Sequence, residues 1–264
     1  MQLAFGADSV RDLYEAGPLR LRLPRSREAA REAAREAILV NTAGGIACGD
    51  VFETSVDLLP RAALVLTTTA AEKIYRSDGP TSTILNRARL GAGARLAWLP
   101  QETILYDRAR LRRRFEADLA VDAGLLVAEI VAFGRAARGE RMSEGLFEDH
   151  WRIRRDGRLT YADAVRLEGS IVDHLVRTAI GGGAGACGTI IDLSPEAEGR
   201  LDEARALLES AGANGSGPVS AGASAWNGHL ALRLLAPDVS RLRAVAARFL
   251  EAYRGAALPR VWQA

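Results

Sequence analysis

Acidic side chains are the first candidates for chemistry in this chain. Glu102, Asp107 and Glu129 could supply the paired carboxylates of a glycoside hydrolase, in which one group donates a proton and the other acts as base or nucleophile. Such an enzyme also needs an aromatic-lined cleft, and aromatic residues make up only 6% of the chain. A β-helical carbohydrate-active hydrolase therefore stays an alternative interpretation.

Histidines, cysteines and glycines give little support for other catalytic sites. His150, His174 and His229 stand alone, without the His-x-x-x-His or Cys-x-x-Cys spacing of zinc sites. The stretch from Gly183 to Gly188 matches a dinucleotide fingerprint in letters, but the residues after it predict a strand, whereas that fingerprint must open a helix. We expect no catalytic residue and no tightly bound cofactor.

The middle of the chain is predicted to form short β-strands. From 108 to 118 charged residues alternate with apolar ones, the period-two pattern of a strand with one solvated face. Similar turns follow Leu59, Leu90 and Leu119, 31 and then 29 residues apart. This weak repeat predicts stacked strand-turn-strand units, in a helix-like stack of strands or layered sheets.

Local turn and helix patterns complete this description. Asp156-Gly157 and Asn227-Gly228 predict two-residue hairpin turns, since both central positions of a type I′ turn need positive φ. Residues 26–37 repeat Glu-Ala-Ala-Arg, which favours a helix by propensity, although a surface insertion fits as well.

The last third of the chain predicts two helices among strands. The proline and acid that follow Ser194 are typical of a helix N-terminus, and Gly212 is a plausible stop. A second helix is predicted from near Asp238 or Ser240 to Gly255. Its apolar stripe consists of Leu242, Val245, Ala246, Phe249, Leu250 and Tyr253.

Composition limits the class of protein. The chain has 264 residues, 48% of them hydrophobic, and a net charge of +2, which argues against an electrostatically driven nucleic-acid binder. The apolar runs are far shorter than the ~20 residues of a membrane helix, and two distant cysteines suit a reducing compartment. We expect a cytoplasmic, mainly β domain over 1–264, with a β-rich body at about 38–190 and an α+β part at about 191–264.

Five segments, taken in order, resemble the urease accessory protein family UreD, also called UreH. They are residues 41–50, 67–78, 99–107, 134–140 and 258–262. The positions that carry the resemblance are Gly44, Gly45, Gly49, Asp50, Lys73, Tyr75, Arg76, Ser77, Asp78, Pro100, Gln101, Glu102, Gly134, Arg135, Gly139, Glu140, Pro259, Arg260 and Trp262.

The resemblance implies a β-rich helix-like stack that carries two helices. It also implies a non-catalytic scaffold that binds the urease apoprotein and, with UreF and the GTPase UreG, enables GTP-dependent insertion of nickel. An interaction module unrelated to nickel is the other alternative.

Nickel in transit suggests a role for carboxylates of the matched segments. Weak, multiple oxygen ligands suit transfer better than a tight cage, because a carrier must release its ion. The candidate path consists of Asp50, Asp78, Glu102, Asp107 and Glu140, with Glu102 held against an arginine such as Arg76. The C-terminal residues, including Trp262, either contact UreF or close the core.

Overall fold

The computed structural model describes residues 1–7, 9–24, 34–213 and 218–263. Within these ranges the strands are β1 (Gln2–Phe5), β2 (Val10–Tyr14), β3 (Leu19–Arg22), β4 (Arg35–Asn41), β5 (Val51–Leu58), β6 (Ala63–Thr68), β7 (Glu72–Ile74), β8 (Ser82–Leu90), β9 (Arg95–Trp98), β10 (Thr103–Leu105), β11 (Arg110–Leu119), β12 (Gly124–Phe133), β13 (Glu144–Arg155), β14 (Arg158–Ser170), β15 (Ala186–Asp192), β16 (Ser220–Trp226) and β17 (His229–Ala236). The helices are α1 (Ile171–Leu175), α2 (Leu201–Ser210) and α3 (Val239–Arg254).

Two facing sheets form the body. The first sheet has the order β14-β13-β11-β8-β5-β1-β2, and the second has the order β16-β17-β15-β12-β9-β6-β4-β3. The chain passes from one sheet to the other, so β5, β8, β11 and β13 are parallel neighbours in the first sheet and β4, β6, β9 and β12 in the second. This β-solenoid-like stack with C-terminal helices confirms the predicted fold class.

The sequence repeat corresponds to the turns that join the two sheets. Successive turns stack by backbone hydrogen bonds: Gly91 N donates to Leu58 O, and Ala120 N donates to Leu90 O, both over 2.9 Å. Ala62, Ala94 and Ala123 are fully buried inside these turns, where a larger side chain would have no room.

Strand β11 confirms the predicted alternation and adds one exception. Leu111, Phe115, Ala117 and Leu119 are buried between the sheets, and their neighbours face outward. Arg113 lies on the same inward parity and is 4% exposed. A charged side chain therefore enters the apolar interior, where it needs partners.

The C-terminal helix is confirmed in detail. The Asp238 side chain accepts a hydrogen bond from Arg241 N, and Gly255 at φ 62° ends α3. All six residues of the predicted stripe are buried in a second core, between α3 and the second sheet. Both hairpins are also confirmed, since Asp156, Gly157, Asn227 and Gly228 have positive φ.

Three details differ from the sequence prediction. The first helix begins at Leu201, after a 3₁₀ turn, because the Ser194 hydroxyl donates to Asp192 instead of capping a helix. Residues 35–37 begin β4 rather than end a helix, since Ala37 and Leu39 pack inward; residues 26–33 lie outside the described ranges. The N-terminal strands β1 to β3 were not anticipated, although β1 pairs in parallel with β5.

Candidate functional site

Most of the matched segments converge on one edge of the solenoid. We call this the loop edge, formed by residues 42–50, 75–81, 106–109 and 134–143. These loops enter or leave neighbouring strands and hydrogen bond to one another: Tyr75 N donates to Ile46 O, Ser77 N to Arg108 O, and Gly134 N to Leu105 O. Segments far apart in sequence therefore form one surface.

Gly45 shows why a glycine is required in the first loop. A Cβ on Gly45 would lie 2.5 Å from Tyr75 Cε2 and 2.9 Å from Lys73 O. Gly44 and Gly49 instead adopt φ of +77° and +81°, which disfavour other residues. Glycines thus let the loop lie against the ring of Tyr75.

An aromatic and cationic cluster marks the loop edge. The rings of Tyr75 and Tyr106 meet edge to face at 5.1 Å, and the Arg135 guanidinium lies 4.1 Å from the Tyr106 ring centre. Tyr75 donates to Gly44 O over 3.2 Å and stays exposed. Such exposed tyrosine and arginine side chains are typical anchors of protein interfaces.

Four carboxylates of the candidate nickel path also lie here. Asp50 accepts from Ala47 N, and the strongly exposed Asp78 lies 3.5 Å from Arg76 Nε. Asp107 accepts from the hydroxyl and backbone N of Ser143, and these hydrogen bonds hold its pKa below the usual value. Glu140 is ion-paired with Arg135, which lowers the pKa of that carboxyl, and accepts from Asp107 N.

The remaining matched positions meet on the opposite side of β10, where they clamp the C-terminus. Arg243 on α3 donates to Gln101 Oε1 over 2.8 Å and to Trp262 O over 2.9 Å. Trp262 donates from Nε1 to Leu99 O, and Gln101 donates to Val261 O. Trp262 and Pro259 are buried and Arg260 is exposed, so Trp262 closes the core.

Glu102 belongs to this clamp rather than to the loop edge. Its Oε2 atom lies 3.5 Å from Arg243 Nε and forms no hydrogen bond. The expected pairing with Arg76 is wrong, because Arg76 is engaged by Asp78 at the loop edge. The path candidates thus divide between two places in the fold.

The interior holds a buried ionic cluster that sequence reasoning did not assemble. Arg113 pairs with Asp149 at 2.7 Å and with Glu129 at 2.5 Å, and all three side chains are almost fully buried. Arg113 Nη1 also lies 3.4 Å from Thr103 Oγ1. One feature of the sequence indicates it: Arg113 occupies a position at which the alternating pattern of β11 places apolar residues.

Two carboxylates face one guanidinium in this cluster, so its formal charge is negative. Burial raises the pKa of Glu129 to about 7, and the neighbouring Asp149 adds to the shift while Arg113 opposes it. Glu129 Oε2 makes no hydrogen bond of good geometry despite its short distance to Arg113. The protonated form of Glu129 is therefore favoured to a higher pH than for an exposed glutamate.

Two cavities with wall residues in common lie beside this cluster and beside the loop edge. The inner cavity, of about 70 Å³, is lined mainly by apolar side chains, with polar groups from Thr54, Asn86, Gln101, Arg113 and Glu129. The outer cavity, of about 110 Å³, is lined by residues that include Asn41, Gly44 and Lys73. Both cavities share Leu19, Leu39, Thr68 and Glu72 in their walls.

Glu72 stands at this shared wall. Asn41 Nδ2 donates to Glu72 Oε1 over 2.9 Å, and burial raises the pKa of Glu72. Among the described residues no group of three or more histidine, cysteine or acidic side chains is arranged to hold a metal ion. The hydrolase candidates also stay apart, because Glu102 lies in the clamp, Asp107 at the loop edge and Glu129 in the interior.

The fold and these contacts define a β-solenoid-like protein with a loop-edge surface and one ionic cluster buried in its apolar interior. A profile of the UreD urease accessory protein family matches residues 1–263. Urease accessory protein UreD 3 of Methylorubrum extorquens (strain PA1) is 67% identical over 252 residues, 96% of this chain and 82% of that relative. Urease accessory protein UreD 1 of Methylobacterium radiotolerans is 64% identical over 98% of this chain and 87% of the relative.

A more distant relative shows the same coverage. Urease accessory protein UreD of Bradyrhizobium diazoefficiens is 46% identical over 95% of this chain and 86% of its own length. This chain belongs to the UreD family of urease accessory proteins, which implies a role in urease maturation. No helix within the described residues is long and apolar enough to cross a membrane.

Proposed function

We propose that this chain is a non-catalytic scaffold of the cytoplasm that enables nickel insertion into urease. It binds the urease apoprotein and, with UreF and the GTPase UreG, supports GTP-dependent delivery of the metal. Nickel is cargo in this proposal and no cofactor is tightly bound. Membership of the UreD family supports the role in maturation.

The buried ionic cluster is the observation that carries the nickel proposal. Glu72 lies in the common wall of two cavities, one beside Gly44 of the loop edge and the other beside the cluster, which has one carboxylate in excess of its guanidinium. A divalent cation would balance that charge, and oxygen ligands without a closed cage would let it leave again. Glu72 and Glu129 are thereby added to the candidate path.

All five carboxylates of the candidate path remain in the proposal, but they lie in two places in the fold. Asp50, Asp78, Asp107 and Glu140 surround the outer end at the loop edge, and Glu102 lies behind Gln101 in the clamp. Because Asp107 and Glu140 also hold backbone in place, their replacement tests structure and transfer together. Asp78→Asn and Glu102→Gln are the cleaner variants of this set.

The first experiment co-expresses urease subunits and the other accessory proteins with and without this chain. We expect its omission to leave nickel-poor, inactive urease at limiting nickel, and its return to restore both activity and nickel content. Equal activation without the chain, at limiting and excess nickel, would favour an interaction module unrelated to nickel.

Single variants then test the path. Glu72→Gln and Glu129→Gln should lower nickel content and activity while the chain still co-purifies with UreF and UreG. Glu116→Gln is the matched control, because Glu116 lies on the outer face of the first sheet, paired with Arg87. Unchanged nickel content in Glu72→Gln and Glu129→Gln would remove these residues from the path but not the accessory role.

A further inference from the structure

An external cleft on the second sheet gathers arginines away from the loop edge and from the inner cavity. It has a volume of about 290 Å³ and lies between that sheet, the end of α3 and the segment after β15. Arg95, Arg200 and Arg254 line it, together with the apolar side chains of Val65, Ala97 and Leu126, which lie on the helix-facing side of the second sheet. It is thus a cationic cleft with an apolar floor.

Arg254 carries the strongest argument for a ligand. It is half-buried in the last turn of α3, and its only hydrogen bond to the described residues is a long one to Ala257 O, at 3.3 Å. No carboxylate of the described residues is ion-paired with it, although Glu36 and Glu251 act on it from a distance. Burial lowers the pKa of Arg254, so its charge is incompletely compensated.

Arg95 approaches the same cleft from β9. Its side chain runs over Gly124, where an added Cβ would lie 2.8 Å from Arg95 Cδ, so the glycine makes room for the arginine. Arg95 donates to Asp122 O but forms no ion pair among the described residues. Burial lowers the pKa of the nearby Arg155, and the like charge of Arg95 adds to that shift.

The acidic groups of the cleft are already occupied. Asp192 is 2% exposed and accepts hydrogen bonds from Tyr253 and from the backbone N and hydroxyl of Ser194. Glu203 forms a two-point ion pair with Arg200. An anion in the cleft would therefore meet guanidinium groups rather than a free carboxylate.

We propose that this cleft binds a carboxylate carried on an apolar chain. The planar guanidinium groups of Arg95 and Arg254 match the two oxygens of a carboxylate. Val65, Ala97 and Leu126 offer apolar surface for the chain that bears it. The ligand is either a small organic acid or a carboxylate of a protein segment, and this proposal does not depend on nickel transfer.

Isothermal titration calorimetry of the full-length chain with hexanoate and acetate tests the proposal. We expect saturable hexanoate binding with a dissociation constant on the order of 1 mM, and weaker acetate binding because the apolar contact is lost. Arg254→Gln and Arg95→Gln should each weaken hexanoate by about tenfold or more, and Arg254→Lys by less.

Arg114→Gln, on the exposed outer face of the first sheet, is the matched control and should keep wild-type affinity. Affinity unchanged in both Arg254→Gln and Arg95→Gln, or no saturable binding by the wild type, would overturn the proposal. If inorganic phosphate bound as tightly as hexanoate, the proposed contact between the cleft and the apolar chain of the ligand would be contradicted.

A second pair of probes separates the two sources of the carboxylate. A short peptide that ends in leucine is compared with hexanoate, and the same peptide with an amidated C-terminus serves as its control. Tighter binding of the free-acid peptide assigns the site to a protein segment, whereas tighter binding of hexanoate assigns it to a small acid. Circular dichroism of each variant checks that the fold is retained.

Discussion

Arg113 on β11 and Asp149 on β13 form a two-point ion pair inside the solenoid, with Nε–Oδ1 at 3.0 Å and Nη2–Oδ2 at 2.7 Å. Trp151 also donates to Asp149, over 3.0 Å, so this carboxylate is fully used. The pair links neighbouring strands of the first sheet, and both side chains are almost fully buried. Breaking it would leave Arg113 paired with Glu129 but without its two-point contact.

Asp149→Asn is therefore predicted to destabilise the fold strongly. We expect a cost of about 3 kcal/mol, the lower end of the range for removing one partner of a buried ion pair, because Arg113 keeps Glu129 as a partner but loses its two-point contact. Urea unfolding followed by tryptophan fluorescence measures this loss. Asp163→Asn, which breaks the more exposed pair with Arg233, is the control and should cost at most about 1 kcal/mol. Equal losses in the two variants would contradict the central role of the interior pair.

Arg243→Leu is predicted to release the C-terminal clamp. Its guanidinium joins Gln101 to Trp262, and its loss leaves the Gln101 oxygen and the Trp262 carbonyl without this donor. We expect about 2 kcal/mol of destabilisation and a red shift of tryptophan emission, because the Trp262 ring becomes more exposed to solvent. Arg241→Leu on the same helix removes only an exposed pair with Asp238 and should show neither change. Normal emission in Arg243→Leu would show that Trp262 does not need the clamp.

The clamp and the interior cluster also show what sequence reasoning can reach. Period-two alternation and the turn repeat predicted the strands and their stacking, because both reflect local side-chain burial. Gln101 and Arg243 are 142 residues apart, and only the completed fold brings them together. The ion pairs of Arg113 could not be predicted, because no residue near it in sequence is its partner. Its two partners, Glu129 and Asp149, lie on β12 and β13.

Gly45→Ala is predicted to disturb the loop edge without any change in charge. The new methyl group would clash with the Tyr75 ring and Lys73 O, and Lys73 O is fixed by its hydrogen bond from Ile46 N. Overpacking of this kind costs about 1–3 kcal/mol. Gly222→Ala is the matched control, since open space surrounds that position and its φ is ordinary. Thermal unfolding compares the two, and equal melting temperatures would show that the loop can move aside.

His229→Phe is predicted to reduce acid sensitivity. His229 is fully buried between Tyr161 and Trp226, neither ring nitrogen forms a hydrogen bond, and burial lowers its pKa below the usual 6.5. Below pH 6.5 His229 binds a proton more readily in the unfolded chain than in the folded one. The free energy of unfolding therefore decreases as the pH is lowered, by at most about 1.4 kcal/mol per pH unit. The variant should show a flatter decline between pH 7 and 5 in urea unfolding. A slope like that of the wild type would remove His229 as the cause.

Glu129→Gln is predicted to remove a loss of stability that occurs as the pH rises, the reverse of the pH dependence expected from His229. The folded pKa of Glu129 is raised to about 7 from 4.5, so the folded state holds a proton that the unfolded state has released. This contribution is present below pH 4.5 and is lost as pH rises through about 7, by on the order of 3 kcal/mol.

Glutamine cannot ionise, so the stability of Glu129→Gln relative to the wild type should rise between pH 5 and 8. Urea unfolding at several pH values measures that difference, and the exposed Glu116→Gln serves as the control. A pH-independent difference between Glu129→Gln and the wild type would mean that Glu129 is ionised throughout. In that case Arg113 keeps both carboxylates ionised, and the one excess negative charge that supports a cation in the interior would be permanent rather than set by pH.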